Sequence, residues 1–389
     1  MVQLRSKRLN NLIKNSFFLC ILCTLLSQVP YFSESNLALI FQLVWFLPLF
    51  LLAFSGNFSI NKLVIYLFFL SFFLFVYALL MDGVSANSYL KISHVSNMLK
   101  SFFVVFVSYQ ISHFINFNEF ANKLGWISLL GGLILSLTIY QFAFLGDFDI
   151  RSRMYAYGSK NSAAQIILTC LIFVIYLFRS KKLMFKILKV IFILIALYLL
   201  LVLKSRGTLL GLIIVFLFTL KQKVNLTLRR YVLILGVLGL IFVFLNDEIK
   251  DILINGIILA GRDSSDLNDA SSGRLDFFLS FPSLFYDNII FGRGLYFSES
   301  FPLSVLLQLG LLGGSIVFLY TLSPMFFFKK YMTIKNPLEI CFLLLIITYY
   351  LNGLFEEQAP LGPGVKNFFL WVLFGFFISK FNRKINNLI

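Results

Sequence analysis

The sequence predicts an all-α integral membrane protein that crosses the membrane about twelve times, with its N- and C-termini in the cytoplasm. Of its 389 residues, 59% are hydrophobic and only 13% are charged, and the mean hydropathy is +0.90. A soluble domain of this length has no means of burying so much apolar surface. The apolar runs, such as Leu63–Leu80 and Tyr231–Leu245, are continuous, which favours helices over the alternating pattern of a membrane β-barrel. We therefore expect residues 1–389 to form a single polytopic membrane domain.

The spans follow from the positions of the apolar runs. They are predicted at about 15–31, 36–55, 60–81, 98–117, 124–145, 162–178, 184–203, 207–220, 231–246, 302–328, 337–355 and 367–379. The basic residues before the first run resemble those of a signal peptide. No small-x-small cleavage site follows, and a second apolar run begins at once, so the first run is interpreted as a span.

The charged residues determine the predicted orientation. With the N-terminus inside, the cytoplasmic ends and loops carry 21 of the 33 basic residues but only two of the 17 acidic residues, Glu119 and Glu339. This asymmetry is what the positive-inside rule predicts, and the reversed topology would violate it. The predicted topology thus explains the net charge of +16. We expect the protein to contact membrane lipids, and we expect no nucleic-acid partner.

Two outer loops interrupt the apolar pattern, at about 146–161 and at 247–300, the latter between the ninth and tenth spans. The longer loop contains two semi-apolar pieces, Ile249–Ala260 and Leu275–Phe291, which are expected to form short helices in the membrane interface. A polar segment rich in Asp, Ser and Asn separates them.

Metal-binding patterns are weak in this sequence. Asp263, Asp266 and Asp269 lack the spacing and the turn glycine of a calcium loop, which favours a solvated loop. Cys20 and Cys23 lie in an apolar run without a second ligand pair, so they are interpreted as packed small residues. The two histidines are far apart in sequence. We expect neither a metal nor a cofactor.

Six arginines lie on the predicted outer face, where basic residues are disfavoured. They are Arg151, Arg153, Arg206, Arg262, Arg274 and Arg293. Guanidinium groups that converge from several loops suit a phosphate or diphosphate, because each offers a planar pair of donors. The alternative is that each arginine reaches lipid head groups or pairs with a nearby Asp. For Arg206 together with Arg151 or Arg153, the phosphate site is the preferred interpretation.

Glu299 is a carboxylate at the predicted outer boundary, just before the span that begins near Pro302. It is a candidate general base. Alternatively, it is an acid that stabilises the N-terminus of the following helix through the helix dipole. The residues alone favour this second interpretation.

Four segments in order resemble one family. They are RMYAYGSKNSAA (153–164), SRGTLLG (205–211), SGRLDFFLSFPSLFYDNIIFGRG (272–294) and ESFPLSVLLQLGLLGG (299–314). The chain resembles, over most of 151–315, the O-antigen ligase/polymerase superfamily of the Wzy and WaaL types. These are bacterial inner-membrane glycosyltransferases that use glycans linked to undecaprenyl diphosphate. Ligases carry a histidine eleven residues before a glycine, where this chain has Glu299 before Gly310, so the resemblance leans towards a Wzy-type polymerase of O-antigen or capsular polysaccharide.

The resemblance implies a GT-C-like fold with its active face at the periplasmic side of the inner membrane. It implies undecaprenyl-diphosphate-linked donor and acceptor glycans, with a chain-length regulator protein as a further candidate partner. The expected diphosphate-binding residues are Arg206, Arg153, Arg151, Arg274 and Arg293. Glu299 and Asp276 are the candidate catalytic bases for a metal-independent, inverting displacement.

Other functions remain as alternatives. An O-antigen ligase is the nearest one, and a flippase or transporter of the same pathway is the leading candidate of another class. Ion-coupled transporters usually carry ionisable residues near the midplane and internal repeats, and the sequence shows neither. A structural membrane protein would leave the arginines of four outer segments unexplained.

Overall fold

The computed structural model of the chain describes residues 2–33, 43–56, 58–85, 88–144, 160–221, 246–263, 265–271, 273–361 and 368–386. All regular secondary structure in these ranges is helical, and no strand occurs within them. The predicted all-α class is therefore confirmed for the described part of the chain.

The helices are numbered here in chain order. They are α1 (Val2–Leu26), α2 (Pro30–Ser33), α3 (Phe46–Ser55), α4 (Lys62–Val84), α5 (Ser93–Ser112), α6 (Phe117–Phe144), α7 (Lys160–Tyr176), α8 (Leu183–Val202), α9 (Arg206–Lys221), α10 (Asp247–Asp251), α11 (Leu267–Ser271), α12 (Arg274–Tyr286), α13 (Phe301–Tyr331), α14 (Pro337–Gly353) and α15 (Phe368–Asn386). A π-helical turn, Ile252–Ile258, continues α10.

Within the described residues, five helices are long and apolar enough to cross a membrane. They are Arg8–Leu26 of α1, Lys62–Val84, Phe117–Gln141 of α6, Leu183–Val202 and Phe301–Tyr331. Shorter apolar helices are Phe46–Ser55, Lys160–Tyr176, Pro337–Gly353 and Phe368–Phe381. By length and composition, these helices indicate a multi-pass membrane protein. The number of twelve spans, their orientation and the GT-C-like arrangement stay predictions.

Each predicted apolar run except that at 231–246 overlaps a helix in the residues that the structure describes. The run at 36–55 is described only from residue 43, and the run at 231–246 lies outside the described residues except for its last position. α1 begins well before its predicted span, because basic and polar residues extend the helix beyond the apolar run.

Large apolar side chains face both inwards and outwards. Trp371 and Tyr320 are buried at the centre with ring centroids 5.1 Å apart. On α4, Phe69, Phe73 and Leu80 are 47%, 54% and 66% exposed. Contact between such an apolar outer surface and water is unfavourable, whereas the hydrocarbon of a membrane solvates this surface well.

α13 is broken at Gly310, whose φ and ψ of 63° and −165° are not helical. The chain at 289–294 fills the break and pairs with it as a backbone ladder. The amides of Arg293 and Leu311 donate to the carbonyls of Leu307 and Ile289 at 2.7 and 2.8 Å. The backbone groups that the break frees are thereby bonded, which an apolar environment requires.

The described part of the long predicted outer loop contains the short helices α10, α11 and α12. α10 with its π-helical turn and α12 correspond to the two semi-apolar pieces of the sequence. Most of the other predicted outer loop, residues 146–159, lies outside the described residues.

Candidate functional site

A cavity of about 300 Å³ lies where several helix ends meet, and its lining is strongly basic. The lining residues are Lys160, Asn161, Lys204, Ser205, Arg206, Gly207, Arg262, Arg274, Glu299, Asn352, Phe355 and Glu356. Five are basic and two are acidic, which is an excess of three positive charges. These residues come from the start of α7, the turn into α9, the turn after the π-helical segment, the start of α12, the loop two residues before α13, and the end of α14 with the segment after it.

Arg206 is the first residue of α9. The helix begins here because Ser205 supplies a carbonyl to the amide of Leu209 at 2.9 Å, and its hydroxyl lies 3.0 Å from that of Thr208. Serine is a favoured residue at this position of a helix. The Arg206 guanidinium donates to the carbonyl of Leu259 at 3.2 Å, which ties the start of α9 to the turn after the π-helical segment.

Arg274 and Glu299 form an ion pair at the cavity, with 2.6 Å between Nη2 and Oε2. Arg274 also donates to the carbonyl of Phe355 at 3.4 Å, and its guanidinium lies 5.7 Å from the centroid of that ring. The side chains of Arg274 and Glu299 are 22% and 41% exposed. The guanidinium is thus fixed by three contacts while the carboxylate keeps access to solvent.

Helix N-termini add to the positive potential of the cavity. α9 and α12 begin at the lining residues Arg206 and Arg274, and α13 begins two residues after Glu299. Each helix N-terminus carries unpaired amides and a partial positive charge. Combined with the excess of basic side chains, this arrangement favours an anionic ligand such as a phosphate or diphosphate.

Two carboxylates hold the segment after α14, of which Glu356 lines the cavity. Glu356 accepts a hydrogen bond from the side-chain amide of Asn161 at the start of α7. Glu357 accepts from the hydroxyl of Ser304 at 3.1 Å and from the side-chain amide of Gln308 at 2.7 Å. These contacts fasten the segment to α7 and α13.

A buried histidine contacts the same serine, Ser304. His94 on α5 is fully buried, and its Nε2 lies 3.0 Å from the Ser304 hydroxyl. The order of the contacts differs from that of a nucleophilic triad, in which the acid contacts the histidine. Here Glu357 contacts the serine. We interpret His94, Ser304 and Glu357 as a structural network that joins α5, α13 and the segment after α14.

The structure brings together three of the residues predicted from sequence, Arg206, Arg274 and Glu299. Two others lie apart from the cavity. Asp276 is exposed and accepts a hydrogen bond from the side-chain amide of Asn268. Arg293 forms an ion pair with Asp287. Arg151 and Arg153 lie outside the described residues.

Sequence reasoning did not assign several of the lining residues to the site. Lys204 and Arg262 were visible as outer-face cations, and their sign alone would have justified including them. Lys160, Asn352 and Glu356 carry no recognisable pattern, because their positions beside Arg206 depend on how α7, α9 and α14 pack together.

The acidic segment of the long loop is engaged in local turns. The side chains of Asp263 and Asp266 accept from the amides of Ser265 and Asn268, and Asp269 accepts from the amide of Asp263, each at 2.8 Å. Within the described ranges, no group of three His, Cys, Asp or Glu residues is arranged to hold a metal ion.

Comparison with known proteins identifies no family for this chain. No protein-family model matches it, and no curated protein matches it either.

Proposed function

We propose that this protein is a membrane glycosyltransferase of the O-antigen polymerase type. It would join oligosaccharide repeat units, carried on undecaprenyl diphosphate, into O-antigen or capsular polysaccharide at the outer face of the bacterial inner membrane. The observation that carries the proposal is the convergence of Arg206, Arg262 and Arg274, from three separate segments, around a cavity that also contains Glu299.

The cationic cavity suits the leaving group of this reaction. When the donor reacts, the bond between its anomeric carbon and the diphosphate oxygen breaks, and negative charge develops on the diphosphate. Fixed cations and helix N-termini stabilise that charge without reorganising. Arginine is well adapted to this role, because its planar guanidinium bonds two oxygens of one phosphate.

Glu299 is the candidate base in this arrangement. Its Oε2 carries the ion pair with Arg274, and its Oε1 has no hydrogen bond or ion pair with any described residue. A hydroxyl of the acceptor sugar would donate to Oε1 and attack the anomeric carbon. The hydroxyl proton then passes to Glu299 and the electron pair of the broken bond leaves with the diphosphate. A single displacement of this kind inverts the anomeric centre.

An apolar cavity next to the cationic one suits a lipid-linked substrate. It has a volume of about 410 Å³ and is lined by Ile214, Phe301, Pro302, Phe318, Thr321, Leu322, Ile347, Tyr350, Leu351, Gly353, Leu354 and Pro360. The end of α14 contributes to both cavities, with Asn352 on the polar side and Leu351 and Gly353 on the apolar side. A polyprenyl chain in the apolar cavity would place its diphosphate beside the cations.

The test is deletion of the gene in its own host, followed by complementation with the wild type, Arg206→Ala or Lys250→Ala. Lys250 is the control, because it is an exposed cation of the outer loop predicted at 247–300 and does not line the cavity. We expect the deletion strain and the Arg206→Ala strain to carry a lipid core with a single repeat unit. The Lys250→Ala strain should make normal polymer.

Electrophoresis of the surface polysaccharide distinguishes the alternatives. Bare core with polymer accumulating on the lipid carrier would indicate a ligase. Unchanged polysaccharide in the deletion strain would reject the proposal for the polymer measured, and normal polymer in the Arg206→Ala strain would reject the role of the cationic cavity.

A further inference from the structure

A second cavity lies on the other side of the Arg274–Glu299 ion pair and has a different chemical character. Its volume is about 220 Å³, and it is lined by Gly273, Arg274, Phe277, Phe278, Phe297, Ser298, Glu299 and Ser300. Arg274 and Glu299 also line the cationic cavity. The ion pair therefore forms a wall between a strongly basic cavity and one whose remaining surface is mainly aromatic.

Three of the residues that line this second cavity are aromatic. Phe277 and Phe278 are in the first two turns of α12, and Phe297 is in the loop before α13. Phe278 and Phe297 are 51% and 72% exposed. The polar end is formed by the ion pair with Ser298 and Ser300, both buried serines.

This combination of groups suits a sugar ring better than a lipid chain. A pyranose has one or two apolar faces of C–H groups, which pack on the electron-rich faces of aromatic rings. Its hydroxyls need acceptors and donors, which the carboxylate and the guanidinium supply. A hydrocarbon chain would displace water from Arg274 and Glu299 and offer no hydrogen-bonding group in exchange, which is unfavourable even for two residues that form an ion pair with each other.

We propose that the aromatic cavity binds the terminal sugar of the acceptor glycan and directs one of its hydroxyls to Glu299. This inference rests on the proposed glycosyltransferase function and adds to it a division of the site. The diphosphate of the donor occupies the basic side of the ion pair and the acceptor sugar occupies the aromatic side. Glu299, which lines both cavities, then lies between the attacking hydroxyl and the bond that breaks.

The experiment measures the binding of two probes to the purified protein in lipid nanodiscs by isothermal titration calorimetry. One probe is inorganic pyrophosphate, and the other is the repeat-unit oligosaccharide of the host, released from its carrier by hydrolysis. We expect Phe277→Ala to weaken oligosaccharide binding about tenfold, because loss of an aromatic contact has an effect of this order. Pyrophosphate binding should stay within twofold of the wild type.

Two further variants serve as controls. Phe285→Ala removes a phenylalanine from the same helix outside the cavity, and both affinities should stay unchanged. Arg206→Ala should weaken pyrophosphate binding alone. Because Phe277→Ala retains pyrophosphate binding only if it is folded, the two probes separate loss of the subsite from loss of structure.

The outcomes separate failure of this inference from failure of the proposed function. If Phe277→Ala binds the oligosaccharide as the wild type does, or if the wild type shows no affinity for it, the acceptor subsite is rejected. Polymer formation that depends on Arg206 would then still support the glycosyltransferase.

Discussion

Arg274 and Arg293 have different surroundings, although both are outer-face arginines of the same predicted loop. Arg274 contacts Glu299, the Phe355 carbonyl and the Phe355 ring, and it lines both cavities at the site. Arg293 pairs with Asp287, whose side chain is 62% exposed. An ion pair of this exposed kind contributes at most about 1 kcal/mol. The backbone of Arg293, bonded to Leu307, has a larger structural role than its side chain.

The two candidate bases also differ in position, because Glu299 lines the cationic cavity and Asp276 does not. This difference gives a prediction at the scale of single residues. Glu299→Gln removes the acceptor charge beside the cationic cavity, while Asp276→Asn alters an exposed side chain outside it. Loss of a general base lowers the rate about 10²–10⁴-fold. We expect this loss for Glu299→Gln and a rate within about threefold of wild type for Asp276→Asn.

The measurement is the initial rate of polymer formation from lipid-linked repeat units by purified protein. A Glu299→Gln rate within about threefold of the wild type would exclude Glu299 as the base, and a large loss in Asp276→Asn would point to that carboxylate instead.

The sequence predicted the chemical role of single residues better than it predicted which residues lie next to them in space. Arg206, Arg274 and Glu299 were identifiable because charged residues are rare at a predicted membrane boundary. Their mutual distances were not, because they belong to segments separated by tens of residues. Arg293 and Asp276 stand out in the sequence for the same reason. Only the course of α12 and of the loop after it places them apart from the cavity that Arg274 lines.

At the scale of elements, the break in α13 explains why glycine occupies positions 292 and 310. A β-carbon on Gly310 would lie 2.3 Å from the carbonyl oxygen of Ile290, and one on Gly292 would lie 2.5 Å from the amide nitrogen of Gly310. Both glycines have positive φ. The two chain segments therefore touch backbone to backbone, and only glycine fits at the contact.

Tyrosine hydroxyls complete this contact from a neighbouring element. Tyr77 on α4 donates to the carbonyls of Phe291 and Leu309 at 2.6 and 3.0 Å, and Tyr89 donates to that of Gly292 at 2.8 Å. Burial raises the pKa of Tyr89, so this hydroxyl stays a neutral donor. The broken helix is thus held by α4, the loop that follows it and residues 289–294, directly behind the loop that carries Phe297 and Glu299.

The break gives an element-scale prediction. Gly310→Ala forces a β-carbon into a backbone region that is essentially restricted to glycine, at a cost of about 1–3 kcal/mol, and the clash with Ile290 adds to it. Gly314→Ala is the matched control on the same helix, because its nearest neighbour atom would lie at an ordinary 3.4 Å. We expect Gly310→Ala to unfold at a lower temperature and Gly314→Ala to resemble the wild type.

Thermal unfolding of the two variants in detergent, followed by tryptophan fluorescence, makes this comparison. Equal melting temperatures for Gly310→Ala and the wild type would show that the backbone contact is not formed in the protein. The sequence predicted the span at 302–328 but not its break, because a continuous apolar run hides a local change of φ at one glycine.

At the scale of the whole molecule, two of the cavities are lined by residues from different sets of helix ends. The cationic cavity is lined by residues at or next to segments predicted on the outer side. A different cavity, of about 640 Å³, is lined by Asn118, Ala121, Asn122, Tyr176, Leu177, Arg179, Lys335, Asn336 and Pro337. All of these lie at or near segments predicted on the inner side. Alternating helices that each cross the membrane would produce this segregation.

The orientation itself can be tested by labelling. In a background in which Cys20, Cys23, Cys170 and Cys341 are replaced by alanine, Lys250→Cys and Lys335→Cys introduce single thiols at two exposed lysines. The positive-inside rule places Lys250 outside and Lys335 inside. A membrane-impermeant maleimide applied to spheroplasts should therefore modify the thiol at position 250 at once, and the thiol at position 335 only after the membrane is permeabilised. The reverse pattern would place the cationic cavity in the cytoplasm, where a transfer reaction at the outer face is impossible. Immediate labelling at both positions would show that the two cavities are not separated by the membrane, which would remove the basis for the predicted spans between them.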